Sequence, residues 1–295
     1  MHTSNCPTPV KGDCEGRGGT ALNQAGIMNL RLLLVVGVSL ALASGCTSST
    51  VSTPITPITP VSNSCTSIVL TGHPSYPPVA WADGATLKGG GIDVIRRVAR
   101  DNGIGIRVVN EGSWDGAQLA VREGKADAIV GIYKTQERLA YFHYVSPALA
   151  PDPSAVLIRS GETFVYKNWN SLIGKRGVVG AGESYGSKFD AFLAAKLTTY
   201  RVGSLNDIYQ QLAQGKADYG LSGYYAAVTS MPKTIAVAAP DFVTEGLYLA
   251  FQKGSVCSAK LSPAFSKDIA ALSANGTIAR IFAAELKAYE KSHPH

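Results

Sequence analysis

One nine-residue stretch of this chain is echoed by another. Glu123–Gly131 reads EGKADAIVG and Gln214–Ser222 reads QGKADYGLS, with GKAD identical. An amphipathic helical stretch precedes each copy, AQLAVREG in one and DIYQQLAQG in the other, and an apolar strand-like run follows. A repeated helix–GKAD–strand unit points to two lobes built alike. Two α/β lobes leave a cleft between them, which is where small molecules bind.

The first copy runs into Ala126–Ile132, apolar except for Asp127 and bounded by glycines, the pattern of a parallel strand covered on both faces. Beyond its carboxyl end lie Tyr133, Lys134, Thr135, Gln136, Glu137 and Arg138. In open α/β sheets ligands gather at that end. Arg138 offers a planar fork of donors suited to a carboxylate, although many loop arginines are simply solvated.

Before the globular part, Met28 opens a basic start, an apolar run from Leu32 to Ala43, and Ser44-Gly45-Cys46. This is the layout of a secretory signal, with the apolar run too short for a comfortable membrane span. Translation is expected to begin at Met28, with residues 1–27 an upstream extension. Leu42-Ala43-Ser44-Gly45-Cys46 resembles the bacterial lipobox, which would make Cys46 the lipidated first residue of the mature protein; an ordinary secretory signal is the alternative. From Thr47 to Ser64, 13 of 18 residues are Ser, Thr or Pro. Such a segment buries no core and reads as a tether. Residues 1–45 are thus leader and signal peptide, and 46–64 a tether.

Cys6 and Cys14 fall in the expected leader, and Cys46 is the expected lipidation site, so Cys65 and Cys257 remain. An even pair in an exported domain is expected to form a disulfide, with buried free thiols as the alternative. The five histidines show no ligand spacing, and neither a metal site nor a cofactor is expected. The net charge of +6 falls to +5 when the three basic and two acidic residues before Cys46 are removed. The excess forms no basic run, which gives nucleic-acid binding little support.

Ser67–Gly72 reads as a buried strand, and HPSYPPVAWADGATLKGGG after it as a Pro- and Gly-rich loop with Tyr76 and Trp81. A helix follows around Ile92–Ala99, then strand Ile106–Val109 and a helix from Trp114. Strand, helix, strand, helix, strand is the doubly wound pattern. Ala155–Ile158 looks like a strand leaving the first lobe. The second lobe has strands Gly177–Val179, Tyr200–Val202 and Tyr219–Ser222 with helices Lys188–Lys196 and Leu205–Gln214. Gly180–Gly186 is either an anion site at a helix N-terminus, with Ser184 in it, or a plain capped turn. Leu247–Phe251 returns the chain, and helices near Ser262–Ser273 and Thr277–Lys291 end it. Two crossings imply a hinge and closure around ligand.

Gly91-Ile92-Asp93, GKADAIVGIYKTQER, YVSPAL, GKRGVVGAGESYG and GKADYGLSGYY follow in this order. In that series the chain resembles the bacterial extracellular solute-binding proteins of family 3, over roughly Ser67–Tyr289. The resemblance implies an α/β, two-lobed periplasmic binding protein fold. Each lobe would be a doubly wound, mainly parallel sheet, and a two-strand hinge would join them. Lobe 1 would span 65–154 plus 248–295, and lobe 2 155–247. It further implies a monomeric receptor of the cell envelope that faces the periplasm or exterior on a lipid (palmitate) anchor. Such a receptor hands a small carboxylate, typically an amino acid, to an ABC permease.

Carried over by position, Arg138 would pair with the ligand carboxylate, and Ser184 with its backbone N–H would hold it from the second lobe. Tyr76 and Trp114 would pack on the ligand side chain, Gly131 would offer a carbonyl to the amine, and Thr135 would position the arginine loop. Two positions depart from the family. Tyr133 stands where serine or threonine is common, and Gly223 stands where an aspartate receives the amine. Glu183 could substitute for that aspartate, the amine could meet Tyr133, Tyr224 or Tyr225, or the ligand could lack an α-amine.

Two other roles share this fold. A cyclohexadienyl-dehydratase-like enzyme would need a pKa-raised carboxylic acid in the cleft, for which the sequence offers Glu183 and Glu137. A receptor presenting ligand to a sensor protein would look the same in sequence.

Overall fold

The structure, a computed structural model, describes residues 65–293. The expected signal peptide, lipidation site Cys46 and tether lie outside the described residues.

In chain order the elements are β1 (Ser67–Gly72), β2 (Ser75–Tyr76), β3 (Ala80–Asp83), β4 (Thr86–Lys88), α1 (Gly90–Asp101), β5 (Gly105–Val108), α2 (Trp114–Arg122), β6 (Ala128–Tyr133) and β7 (Phe142–Arg159). The chain then forms β8 (Arg176–Gly180), α3 (Ser187–Lys196), β9 (Thr198–Val202), α4 (Leu205–Ala213), β10 (Tyr219–Gly223) and α5 (Tyr224–Ser230). It returns through β11 (Ile235–Gln252) and ends in α6 (Val256–Ala274) and α7 (Thr277–Ser292).

Both copies of GKAD do the same mechanical work. The glycine after each helix, Gly124 at φ 73° and Gly215 at φ 66°, takes the left-handed conformation that stops a helix without a Cβ penalty. The lysines, Lys125 and Lys216, are exposed, and the alanines, Ala126 and Ala217, are buried. Each aspartate then closes a ring with the neighbouring parallel strand. Asp127 N donates to Val69 O at 2.9 Å while Val69 N donates to Asp127 Oδ2 at 2.7 Å. Asp218 N donates to Arg176 O at 2.8 Å while Arg176 N donates to Asp218 Oδ2 at 2.7 Å. The carboxylate thus pairs a strand N–H that the ladder has not yet reached. Helices α2 and α4 are also capped alike, by Ser113 accepting from Gly116 N and Ser204 accepting from Asp207 N.

One sheet carries both lobes, in the order β5-β1-β6-β11-β7-β10-β8-β9. Its outer thirds are parallel, β5-β1-β6 in one lobe and β10-β8-β9 in the other. The middle is antiparallel. Strands β7 and β11 are 18 residues each, pair from Ile235↔Arg159 to Gln252↔Phe142, and run through both lobes. At about 3.3 Å per residue each spans roughly 60 Å. β6 borders the later part of β11, Leu247–Phe251, and β10 borders the later part of β7, Ser154–Leu157. Register shifts in β11 between Val237 and Val243 and between Leu247 and Leu249 bend this ribbon.

Helices cover both faces of each lobe. Ile92, Ile95, Phe265 and Ile278 from α1, α6 and α7 pack on one face of the first lobe, and Trp114, Ala117 and Val121 from α2 on the other. In the second, Ile208, Leu212 and Ala226 cover one face and Phe189 with Tyr185 the other. Cys65 and Cys257 form the expected disulfide, with Cα atoms 5.2 Å apart.

Three parts of the fold differ from the sequence expectation. The Pro- and Gly-rich segment after β1 is a three-stranded antiparallel meander, β2-β3-β4, whose strands are too short for alternation to show. Strands β7 and β11 extend well beyond Ala155–Ile158 and Leu247–Phe251, because Pro147, Pro151 and Pro153 mask the strand pattern in one and small residues mask it in the other. Helix α5 follows β10 at once, with no turn residues to announce it.

Candidate functional site

The carboxyl ends of β1 and β6, the β8–α3 loop and the crossing strands converge on one cavity. Arg138, Trp114, Tyr76, Tyr133 and Gly131 line it from the first lobe, together with His73. Glu183 and Ser184 line it from the second, and Leu247 from the crossing strand. Tyr224 is not among these lining residues; it starts α5 and stacks edge-on with Tyr225, ring centroids 5.4 Å apart.

Arg138 is 7% exposed and opens a short 3-10 turn, Arg138–Ala140, after β6. Thr135 Oγ1, itself buried, accepts from Arg138 N at 3.2 Å and fixes the loop. The guanidinium donates to two carbonyls, Tyr133 O at 3.3 Å and, across the cleft, Gly182 O at 2.9 Å. Its Cζ lies 5.8 Å from the Trp114 ring. Among the described residues no carboxylate forms an ion pair with it. Burial draws its pKa below the ordinary arginine value, although Glu183, Asp190 and Glu137 nearby pull the other way, the mark of a cation held out of water without a direct ion-pair partner. Trp114 Nε1 is likewise buried without a hydrogen-bond partner.

Further contacts join the lobes at the cavity. His73 Nε2 and Glu183 Oε1 are 3.0 Å apart, Gln118 Nε2 donates to Gly182 O at 3.1 Å, and Gln136 N donates to Ser187 Oγ at 3.2 Å. The His73 ring stacks on Trp114 at 5.1 Å and tilts against Tyr76 at 5.3 Å. Ser184 turns its hydroxyl to Asp190 Oδ2 and accepts from Gly186 N at 3.2 Å. On the far side of Arg138 an open cavity of about 390 Å³ continues between Gln118, Arg122, Glu137, Asp190 and Arg201.

Sequence reasoning missed two residues of this site. His73 directly follows β1, and the rule that ligands gather at strand carboxyl ends would have found it. Asp152 lies in β7 between two prolines and reads as a turn residue. It is 1% exposed, and its Oδ2 accepts from Tyr133 OH at 2.6 Å and from Tyr76 OH at closer range. Burial pushes its carboxyl up to about 6, although the two phenol hydrogen bonds pull the other way. Burial, with Asp152 alongside, drives both phenols well above their ordinary values. Asp152 therefore joins Glu183 and Glu137 as a third acid near the cleft. A Cβ built on Gly223 would lie 1.7 Å from Tyr76 Oη, so the phenol occupies the space a side chain at 223 would need.

No group of three or more His, Cys, Asp and Glu among the described residues is placed to hold a metal ion.

Several solved structures share this fold. A mutant of ArgBP from T. maritima superposes with a TM-score of 0.65 at 18% identity, over 75% of this chain and 96% of that one. An amino acid ABC transporter substrate-binding protein, AbpA from Streptococcus pneumoniae, bound to L-arginine, gives 0.64 at 21% identity, over 76% and 96%. A histidine kinase sensor domain with similarity to periplasmic binding proteins gives 0.64 at 20%, over 75% and 96%. No curated protein matches the chain. The sequence profile of one family matches residues 68–286. The chain therefore belongs to the bacterial extracellular solute-binding proteins, family 3.

Proposed function

We propose that this chain captures a free amino acid between its lobes and passes it to an ABC permease, from a monomeric receptor lipid-anchored at Cys46 on the outer side of the cell envelope. The observation that carries the reading is Arg138: a guanidinium 7% exposed, bonded only to carbonyls and facing a cavity. A ligand carboxylate supplies the missing counter-charge in bidentate form. The backbone N–H of Ser184, whose hydroxyl is committed to Asp190, receives the same carboxylate from the second lobe, and Tyr76 and Trp114 give apolar walls. The amino-acid-binding proteins that share the fold favour the same substrate class.

Arg138→Ala tests it. Calorimetry against the amino acid that binds the wild type is expected to show an affinity loss of roughly 150- to 5,000-fold, from about 3–5 kcal/mol for breaking a buried ion pair. Arg138→Lys is expected to recover only part, since the fork is lost. Unchanged affinity in Arg138→Ala removes the site assignment. Anchoring is tested separately: Cys46→Ser is expected to release the protein from membranes or block its processing, and a wild type found wholly in the soluble fraction refutes the anchor.

Two specific observations favour other readings. The sensor-domain neighbour supports a role in presenting ligand to a kinase, which a neighbouring sensor-kinase gene instead of permease and ATPase genes would establish. Asp152, a buried acid with its pKa raised to about 6, supplies what a dehydratase needs. Two phenols stand between it and the cavity, and turnover of prephenate or arogenate by the purified protein would establish catalysis.

A further inference from the structure

The proposed function accounts for the carboxylate end of an amino acid and leaves its amine without a charged partner, because Gly223 carries no side chain and Glu183 is paired with His73. We infer that the ligand's ammonium group is received by the hydroxyl oxygens of Tyr76 and Tyr133, held as acceptors by Asp152 behind them. The inference rests on the amino-acid reading and extends it from one end of the ligand to the other.

The direction of two protons decides what this wall presents. A phenol has one proton to donate, and its oxygen can accept as well. Both Tyr76 and Tyr133 donate theirs to the same atom, Asp152 Oδ2. With that proton committed, each oxygen has only lone pairs left to offer. Both tyrosines line the cavity, and Asp152 does not; at 1% exposure it lies behind them. The cavity wall at this point is therefore an acceptor pair backed by a negative charge. A group with several donors and a positive charge fits it, and a carboxylate or a second hydroxyl acceptor does not.

Gly223 is the counterpart of this arrangement. The Tyr76 hydroxyl already stands 1.7 Å from where a Cβ on residue 223 would be. A carboxylate-bearing side chain there and Tyr76 in this position are mutually exclusive. The acid has in effect moved from the end of β10 to the crossing strand β7, and acts through two phenols instead of directly.

None of the charged groups around Asp152 is bonded to its carboxylate, whose side-chain partners are the two phenols. Glu183, from the β8–α3 loop, is paired with His73 at 3.0 Å. Glu245, its cross-strand neighbour in β11, lies against Gly186, where an added Cβ would meet its Oε1 at 1.9 Å. Arg138 reaches Tyr133 through the backbone carbonyl, not the phenol. Asp152 is thus a positioning residue whose charge state sets what the phenols present: ionised, it takes both protons; protonated, it frees them to turn toward the cavity.

The test uses the purified protein and the twenty standard L-amino acids, first by thermal shift and then by calorimetry. For each amino acid that binds, the 2-hydroxy acid with the same side chain is titrated alongside. The wild type is expected to prefer the amino acid by about 100-fold or more, and its affinity to fall toward tenfold per pH unit below about 6. Asp152→Asn is expected to narrow the preference below about tenfold and flatten the pH profile, with the hydroxy acid bound as before. Tyr133→Phe, which deletes one acceptor and keeps the ring, is expected to cut the preference about tenfold, and it decides the matter should Asp152→Asn not fold. An amino-acid preference and pH profile unchanged in Asp152→Asn or Tyr133→Phe overturn the inference and leave the amino-acid reading standing. Binding of hydroxy acids as tight as amino acids by the wild type does the same. If no amino acid binds, the amino-acid reading falls and this inference with it.

Discussion

Removing the disulfide gives the most direct measure of what holds the first lobe together. Cys65 stands two residues before β1, Cys257 lies in the first turn of α6, and 192 positions separate them in sequence. Opening the bond releases almost the whole folded chain from one closed loop. In the chain-entropy account the unfolded state regains about 18 cal/mol/K for a loop of this length, or about 5 kcal/mol at 25 °C. Folding entropy of roughly 2 cal/mol/K per residue over about 230 residues makes that a fall of about 10 °C in Tm. Both sulfurs belong to half-buried residues at the edge of the core, so Cys65→Ser/Cys257→Ser leaves little cavity. Thermal and urea melts of the double variant are the assay, with reduced wild type as a control that keeps the native side chains. Both are expected to show the same displacement. A double variant melting within about 2 °C of the oxidised wild type, with an unchanged urea slope, would refute the reasoning, because the denatured chain would then be gaining no loop entropy.

Other consequences are as direct. Folded Asp152 keeps its proton up to about pH 6, whereas an unfolded aspartate loses it near 3.8; the folded state therefore binds more protons between those values, and stability falls as pH rises across them, by on the order of 2–3 kcal/mol. Urea melts from pH 4 to 7.5 are expected to show that fall in the wild type and not in Asp152→Asn, and parallel profiles would contradict it. Gly223→Ala places a methyl group 1.7 Å from Tyr76 Oη and is expected to destabilise the protein by roughly 1–3 kcal/mol. Combining it with Tyr76→Phe, which removes the colliding oxygen, is expected to recover part of that loss in a double-mutant cycle. Asp127→Ala leaves Val69 N–H without its 2.7 Å acceptor and is expected to cost about 1–3 kcal/mol, read as a lower urea midpoint and faster amide exchange at Val69.

The sequence alone determined whatever is written locally or repeated. GKAD needs only its own four residues, since a left-handed glycine ends the helix and an aspartate reaches the adjacent strand; two copies therefore announced two lobes. Short buried strands such as β1, and helices with one apolar face such as α4, declared themselves by composition and period. Arg138 was legible because it sits in a loop at a strand end, where little else explains an arginine between Thr135 and a tyrosine-rich run. The pairing of Cys65 with Cys257 followed from counting. Tertiary structure decided what depends on partners far apart in the chain. β7 carries three prolines and a Pro-Asp-Pro step, which read as a turn, and it becomes an 18-residue strand only because β11 lies beside it along its whole length. Asp152 looks like a turn aspartate until Tyr76, 76 residues earlier, and Tyr133 bring their hydroxyls to it. Gly223 looks like a lost function until the Tyr76 phenol is seen in the space beside it. Which way a proton points is set by three-dimensional proximity, and no local pattern records it.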